Sequence, residues 1–229
     1  MTAIQQILYA ADTAAWHRLA EALGLAAPYP PEPAWAEFHG RGSLAVHAAM
    51  PDHPAGSVDL HVLVDDLDEA ERALAGFDVS RGVMEGVGDM LTVTSGIRLT
   101  VAEGSAPARD GALAMQPIWF APDLDEPRRI LEALGLRPAI AADGGGWIEL
   151  ASDAGSVGLH RGEAPSVGLS FETPDVDALA DRLREAGYEA GVVDEAFART
   201  VRVPSPDGGP EVWINGEQDD LYGYHRAEE

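Results

Sequence analysis

Asp59 and His61 stand two residues apart in Ser57–Glu71, SVDLHVLVDDLDEAE, and a carboxylate beside an imidazole can move protons near neutral pH. The segment alternates apolar and polar residues, so both side chains share one face of a strand, with His61 as a base and Asp59 as its orienter. Two solvated side chains would show the same spacing. His47 and His160 occupy equivalent places in a long-range repeat, as ordinary strand histidines or as ligand contacts and general bases. Trp-x-Glu also occurs twice, at Trp35–Glu37 and Trp147–Glu149. An aromatic ring beside an acid suits a flat or cationic ligand. The chain has no cysteine, which removes thiolate chemistry, disulfides and cysteine-held zinc. It also has no phosphate loop, no Gly-x-Ser-x-Gly elbow and no dinucleotide fingerprint.

A strand followed by a capped helix recurs four times and positions these groups. Ser166–Asp181, SVGLSFETPDVDALAD, reads as one strand, a turn and a helix, like Ser57–Glu71. Gln5–Leu25 and Gln116–Leu136 form a second pair 111 positions apart, with AEALGL at 20–25 answering LEALGL at 131–136. Each module reads as strand, helix and three strands, too small to stand alone. Paired modules cover one sheet face with helices and curve the other into a trough. The expected fold class is therefore α+β: two tandem domains, each of two paired βαβββ modules forming a curved mixed sheet with helices outside. The first domain is expected at 1–104 (modules 1–55 and 56–104) and the second at 112–229 (modules 112–163 and 164–229). The small, polar, proline-broken stretch 105–111 serves as linker. Residues from about Glu217 read as a polar tail.

Strand phase selects the trough residues. If Ala36 and Phe38 face the helices, then Trp35, Glu37 and His39 face the trough; Ile148 and Leu150 likewise put Trp147 and Glu149 there. Tyr9, Phe120 and Trp213 fall on the same faces. Ser170 and Glu172 share a face, with Glu172 near the strand end as a rim charge. Arg202 is either a cation in an acidic trough or a cross-strand partner of a glutamate.

Fifteen basic against 39 acidic residues give a net charge of −24, which repels nucleic acid and anionic membrane surfaces. No apolar run approaches the roughly 18–20 residues of a membrane span. No secretory leader is visible at the first residues, so a cytoplasmic location is the expectation.

The chain resembles the vicinal oxygen chelate superfamily of glyoxalase I, extradiol dioxygenases, fosfomycin-resistance enzymes and bleomycin-binding proteins. The carriers are VDDLDEA at 64–70, TPDVDAL at 173–179, the closing turn SPDGGPEVWI at 205–214 and GSVGLHRG at 155–162. In metal-using members the first strand of each module offers His or Gln and the last offers Glu or His. Carried onto this chain, the first-strand positions are Gln5, Asp59, Gln116 and Gly168, and the last-strand positions are His47, Thr100, His160 and Trp213. The resemblance thus implies a metal-free second domain, because glycine and tryptophan supply no such donor. The first-domain set of Gln5, His47, Asp59 and Thr100, with His61 beside it, is poor for a divalent metal but not empty.

The expected function is metal-independent binding, with possible sequestration, of a small organic molecule. Its contacts are Gln5, Tyr9, Trp35, Glu37, Gln116, Phe120, Trp147, Glu149, His160, Ser170, Arg202 and Trp213, without a cofactor. The alternative is a lyase, isomerase or oxygenase acting on a small oxygenated substrate. There His47, Asp59 and His61 are catalytic, with a divalent metal or by acid–base chemistry in the first domain. A small molecule is the expected partner, and a monomer is favoured over a dimer.

Overall fold

The computed structural model describes residues 1–84, 86–106, 113–218 and 220–227. Most of the expected linker, residues 107–111, lies outside the described residues.

The first half is one seven-stranded sheet with two helices. Its elements are β1 (Thr2–Ala10), α1 (Thr13–Ala22), β2 (Trp35–Gly40), β3 (Gly42–Ala48), β4 (Val58–Val64), α2 (Leu67–Ala73), β5 (Val79–Met84), β6 (Gly88–Ser95) and β7 (Ile97–Glu103). The strand order is β2-β3-β1-β4-β7-β6-β5, with β1 parallel to β3 and antiparallel to β4. Asp12 and Asp66 cap the two helices by accepting the N–H groups of Ala15 and Glu69. Gly24, at φ +85°, takes the left-handed conformation that stops α1. Only two full strands follow α1, where three were expected. The prolines at 28, 30, 31 and 33 lack N–H donors, and the missing strand shrinks to a single bridge between Ala26 and His39.

The second half repeats this order: β8 (Ala114–Met115), β9 (Ile118–Ala121), α3 (Asp125–Ala133), β10 (Arg137–Ala142), β11 (Trp147–Ala151), β12 (Ser156–Arg161), β13 (Ser166–Gly168), β14 (Ser170–Thr173), α4 (Val176–Glu185), β15 (Gly191–Asp194), β16 (Arg199–Val203), β17 (Val212–Gly216) and β18 (Tyr224–Arg226). Two corrections follow. The stretch 166–173, read as one strand, is two, and they belong to different sheets, β13-β9-β12-β11-β10-β18 and β15-β16-β17-β14-β8. The facing stretch breaks at Pro117, which has no N–H to give the ladder, and the 166–173 stretch breaks opposite it at Leu169. The expected polar tail also contains a strand, since β18 pairs antiparallel with β10.

The two halves share one continuous hydrophobic core, running from Ile4 and Phe38 to Trp119, Phe171 and Ile214. Polar contacts fix how they meet. Ile4 N donates to Ala154 O and Asp153 N to Thr2 O. Gln6, fully buried, donates from Nε2 to Ser170 O (2.9 Å) and accepts from Ser170 N at Oε1 (3.2 Å). Arg182 on α4 donates to Ala22 O and Leu23 O at the end of α1. The closing turn carries Asp207, whose carboxylate accepts from Ala11 N, Asp12 N and Trp16 Nε1 at 2.8–3.0 Å. A weaker counterpart joins the other two modules, where Ser95 Oγ donates to Glu126. Among the described residues, no helix is long and apolar enough to cross a membrane.

Asp207→Ala leaves three donors at the start of α1 without their acceptor. Denaturant unfolding is expected to show a loss of about 1–3 kcal/mol, whereas Ser95→Ala, which removes one exposed bond, stays within about 0.5 kcal/mol.

Candidate functional site

Strand register lays out each trough floor row by row. In the first half, His39, Ser43, Gln5, His61, Thr100, Thr92 and Ser80 lie side by side across all seven strands, a wholly polar row. The next row holds Glu37, Ala45, Ile7 and Asp59, and the one beyond holds Trp35, His47 and Tyr9. In the second half the corresponding rows are Glu149, Gly158, Ile118 and Gly168, then Trp147, His160, Phe120 and Ser166. Gln116 bonds through its N–H to Ser170 O, and Ser170 continues to Trp213 and Arg202. A further row runs Ala114, Glu172, Asn215, Thr200.

The repeats of Trp-x-Glu and of His47 with His160 are therefore real in space. Each histidine approaches the carbonyl of its own successor through Nδ1, Ala48 O at 2.6 Å and Arg161 O at 2.8 Å. A carbonyl only accepts, so Nδ1 carries the proton and Nε2 presents its lone pair. Each ring also stands beside an aromatic pair, Tyr9 and Trp35 or Phe120 and Trp147.

The register corrects the positions carried over from the family pattern. Gln5 lies opposite His61, and Gln116 bonds Ser170, whereas Asp59 and Gly168 stand one same-face pair away. Ser43, not His47, lies across from Gln5. Counting from a helix cap gives the strand but not the residue that faces it. The structure does not join Asp59 to His61. Asp59 accepts from Tyr9 OH (3.1 Å) and pairs with His53 Nε2 (3.2 Å), while His61 Nδ1 lies 2.6 Å from Thr100 Oγ1. Burial holds His61 down to a pKa of about 4, only partly opposed by the charge of Glu37, so it is neutral at pH 7. Burial, with Asp59 beside it, pushes the Tyr9 hydroxyl up.

The first trough is largely self-satisfied. Glu37 accepts from Gln5 Nε2 (3.3 Å), Tyr29 OH (3.1 Å) and His39 Nε2 (2.9 Å), and Gln5 Nε2 also reaches Ser43 Oγ (3.0 Å). Trp35 donates its indole N–H to Tyr29 OH. The nine-residue connection 49–57 carries His53, stacked on Tyr9 with centroids 4.3 Å apart, over one end. Only four residues, 162–165, make the same connection in the second half.

The second trough holds a carboxyl whose proton affinity is raised. Gln116 Nε2 donates to Glu149 Oε1 (3.1 Å) and Glu172 Oε1 (3.5 Å), so one amide lies between two carboxyls. Asn215 Nδ2 donates to Gln116 Oε1 and Ser170 Oγ, both at 3.3 Å, and Asn215 Oδ1 accepts from Thr200 Oγ1. Burial, then the charges of Glu149 and Glu217, push Glu172 up to about 8; Arg41 and the Gln116 hydrogen bond oppose this. Ser156, on the same face as Gly158 and 5% exposed, has no partner for its Oγ among the described residues. The Trp147 ring lies on Gly158, where a Cβ would come within 2.2 Å of it. Glu172, read as a rim charge, is thus central. The sequence signal for it was its shared face with Ser170; Asn215 gave no signal beyond its strand. Trp213 is 38% exposed and adjoins Arg202. Arg202 covers the Trp213 ring at 4.2 Å and pairs with Glu195, the cross-strand glutamate reading.

The donor set does not fit a metal ion. Among the described residues no three His, Asp or Glu side chains converge. In the second trough an N–H group, not an oxygen, faces the space between the two carboxyls.

No family model matches the chain, and no curated protein matches it. Solved structures do. The 2,3-dioxygenase LapB from Pseudomonas sp. KL28 superposes with a TM-score of 0.65 at 13% identity, over 99% of this chain and 92% of that one. The Mn(II)-bound glyoxalase from Novosphingobium aromaticivorans gives 0.62 at 14%, over 95% and 81%. A triple mutant of 4-hydroxymandelate synthase from Streptomyces coelicolor gives 0.53 at 18%, over 96% and 93%. The chain has the vicinal oxygen chelate fold. Within this fold the trough faces carry the polar and aromatic rows described above.

Two titrations should be visible in stability. Glu172 has a folded pKa above its unfolded value of 4.5, so between about 4.5 and 8 the native state binds more protons. Its contribution to stability therefore falls as pH rises through that window. Unfolding at pH 5 and pH 8.5 is expected to show Glu172→Gln gaining on the wild type at the higher pH. His61 is the reverse case: its folded pKa lies below 6.5, so the unfolded state takes up the proton first and stability falls from about pH 6.5 to 4. His61→Gln should flatten that acid limb.

Proposed function

We propose that the chain is an enzyme acting on a small oxygenated molecule, by isomerase- or lyase-type proton transfer in the trough of its second half. The observation that carries this reading is the pair Glu149 and Glu172 on one amide of Gln116, with Glu172 holding its proton at neutral pH. Environments that separate the proton affinities of two carboxyls assign one as acid and the other as base. Glu172 gives its proton to a carbonyl oxygen of the substrate while the Glu149 carboxylate takes one from the adjacent carbon. With a 2-hydroxy carbonyl substrate the product is an enediol. Glu149 then returns its proton to the former carbonyl carbon while Glu172 takes the proton of the other hydroxyl, which becomes the new carbonyl and restores both carboxyls. Ser170, Asn215 and the unpartnered Ser156 hydroxyl orient substrate oxygens. Phe120, Trp147 and Ile118 supply apolar walls that exclude water. Fold neighbours that are themselves a glyoxalase, a dioxygenase and a synthase support an enzymatic reading over simple sequestration.

This places the chemistry in the second half, not at His47, Asp59 and His61. There Asp59 is engaged by Tyr9 and His53, and His61 is buried against Thr100. Metal-free binding is the second reading, favoured by the paired aromatic rows.

The test is solvent exchange. The protein is incubated in D2O with small 2-hydroxy ketones and 2-hydroxy aldehydes, and C–H loss is followed by proton NMR. Catalysed exchange is expected, falling at least ~100-fold in Glu172→Gln and in Glu149→Gln. Exchange untouched by both substitutions would sink the assignment. Saturable quenching of tryptophan fluorescence without any exchange would establish the binding reading instead.

A further inference from the structure

Gly40-Arg41-Gly42, a hairpin turn in the first half, is inserted into the second. Arg41 N donates to Leu113 O and accepts at its own carbonyl from Met115 N, both at 2.9 Å. Arg41 thereby bridges Ala114 in parallel and extends the five-stranded sheet by one residue. Both glycines are required by the fit. A Cβ on Gly40 would lie 2.2 Å from Leu113 O; one on Gly42 would lie 2.5 Å from Ile4 O, and Gly42 also has φ +86°. A turn made only to reverse the chain needs no such approach to a neighbouring backbone.

The register shows what the insertion places. Arg41, Ala114 and Glu172 are consecutive across the sheet, so their side chains leave from the same face. Two strand spacings separate Arg41 from Glu172, about 10 Å between Cα atoms, and the residue between them in the row is the small Ala114. The charged groups that act on Glu172 come from three other elements: Glu149 on β11, Glu217 just beyond β17, and Arg41 on the inserted turn. Two are anions and one is a cation.

We infer that Arg41 is a positioning residue for the Glu149–Glu172 site, a cation delivered from the first half against which Glu172 gives up its proton. The inference rests on the proposed acid–base reading of that site. The neighbouring anions and burial hold the proton on Glu172; the guanidinium opposes them, keeping the group within reach of neutral pH so that it can release and recover its proton. The second-half site is then complete only when the first half is folded against it.

The test needs no substrate. Protein labelled with carbon-13 at the glutamate side-chain carboxyls is titrated by NMR, with Glu172→Gln identifying the Glu172 signal. In Arg41→Gln the midpoint is expected to move up by about half a unit or more, and Arg41→Lys should restore it. A purely structural role for the turn would leave the midpoint unchanged in Arg41→Gln, and that result overturns the inference. The inter-half bonds use the Arg41 backbone, so the variant should fold; Arg41→Met is the second neutral variant if it does not. Because the titration is read without turnover, its failure leaves the carboxyl-pair reading standing. Failed exchange in D2O with a shifted midpoint would instead remove that reading alone.

Discussion

A buried amide cannot be left unpaired, and Gln6 shows how much structure follows from that requirement. Its side chain is fully enclosed, and the main chain of Ser170 satisfies both its donor and its acceptor. The pair copies one step of a β-ladder across two sheets. It fastens the strand carrying Ser170 and Glu172 to β1, which is itself paired on both edges. Displacing the halves would strand both the amide and the peptide group in a dry core, at a cost of about 1–3 kcal/mol for each unsatisfied group. The Asp207 carboxylate and the Gly40–Gly42 turn act in the same sense at other points of the joint. The trough of the second half is therefore held from behind by the first.

The two troughs share a plan but not a balance of polar groups. In the first, Glu37 is surrounded by three donors, Gln5 is bonded twice, and His61 rests against Thr100 as a neutral ring. In the second, the equivalent of His61 is Ser170, and the amide of Gln116 must serve two carboxyls at once. Burial and the charges of Glu149 and Glu217 outweigh that amide and Arg41, so a proton remains on Glu172. Such an imbalance marks a candidate functional site. The loop carrying His53 covers an end of the first trough, and its four-residue counterpart leaves the second without such a cover.

The net charge of −24 takes on a local meaning here. Most acidic side chains face water, where their repulsion is screened. Glu149 and Glu217 act on Glu172, whose carboxyl is largely withdrawn from solvent, and there a single arginine carries weight. Other arginines, such as Arg199 with Asp177 and Arg128 with Glu132, sit in exposed pairs that solvent screens.

The amino-acid sequence by itself determined the local elements and their repetition. Period-two alternation in 35–39 and 58–64 placed Ala36, Phe38, Leu60 and Val62 in the core, because a strand face is set by its neighbours two residues away. Asp12, Asp66 and Asp175 capped their helices for an equally local reason. The Trp-x-Glu pairs, and His47 with His160, were legible as repeats. Which residue faces which across strands was decided only by tertiary register, a contact between segments tens of residues apart. That register moved the partner of Gln5 from Asp59 to His61 and brought Glu172 from the rim to the centre beside Gln116. It also turned the Gly40-Arg41-Gly42 turn into an insertion. Proton affinity belongs to the same class: it depends on burial and on charges from distant elements, which no window of sequence contains.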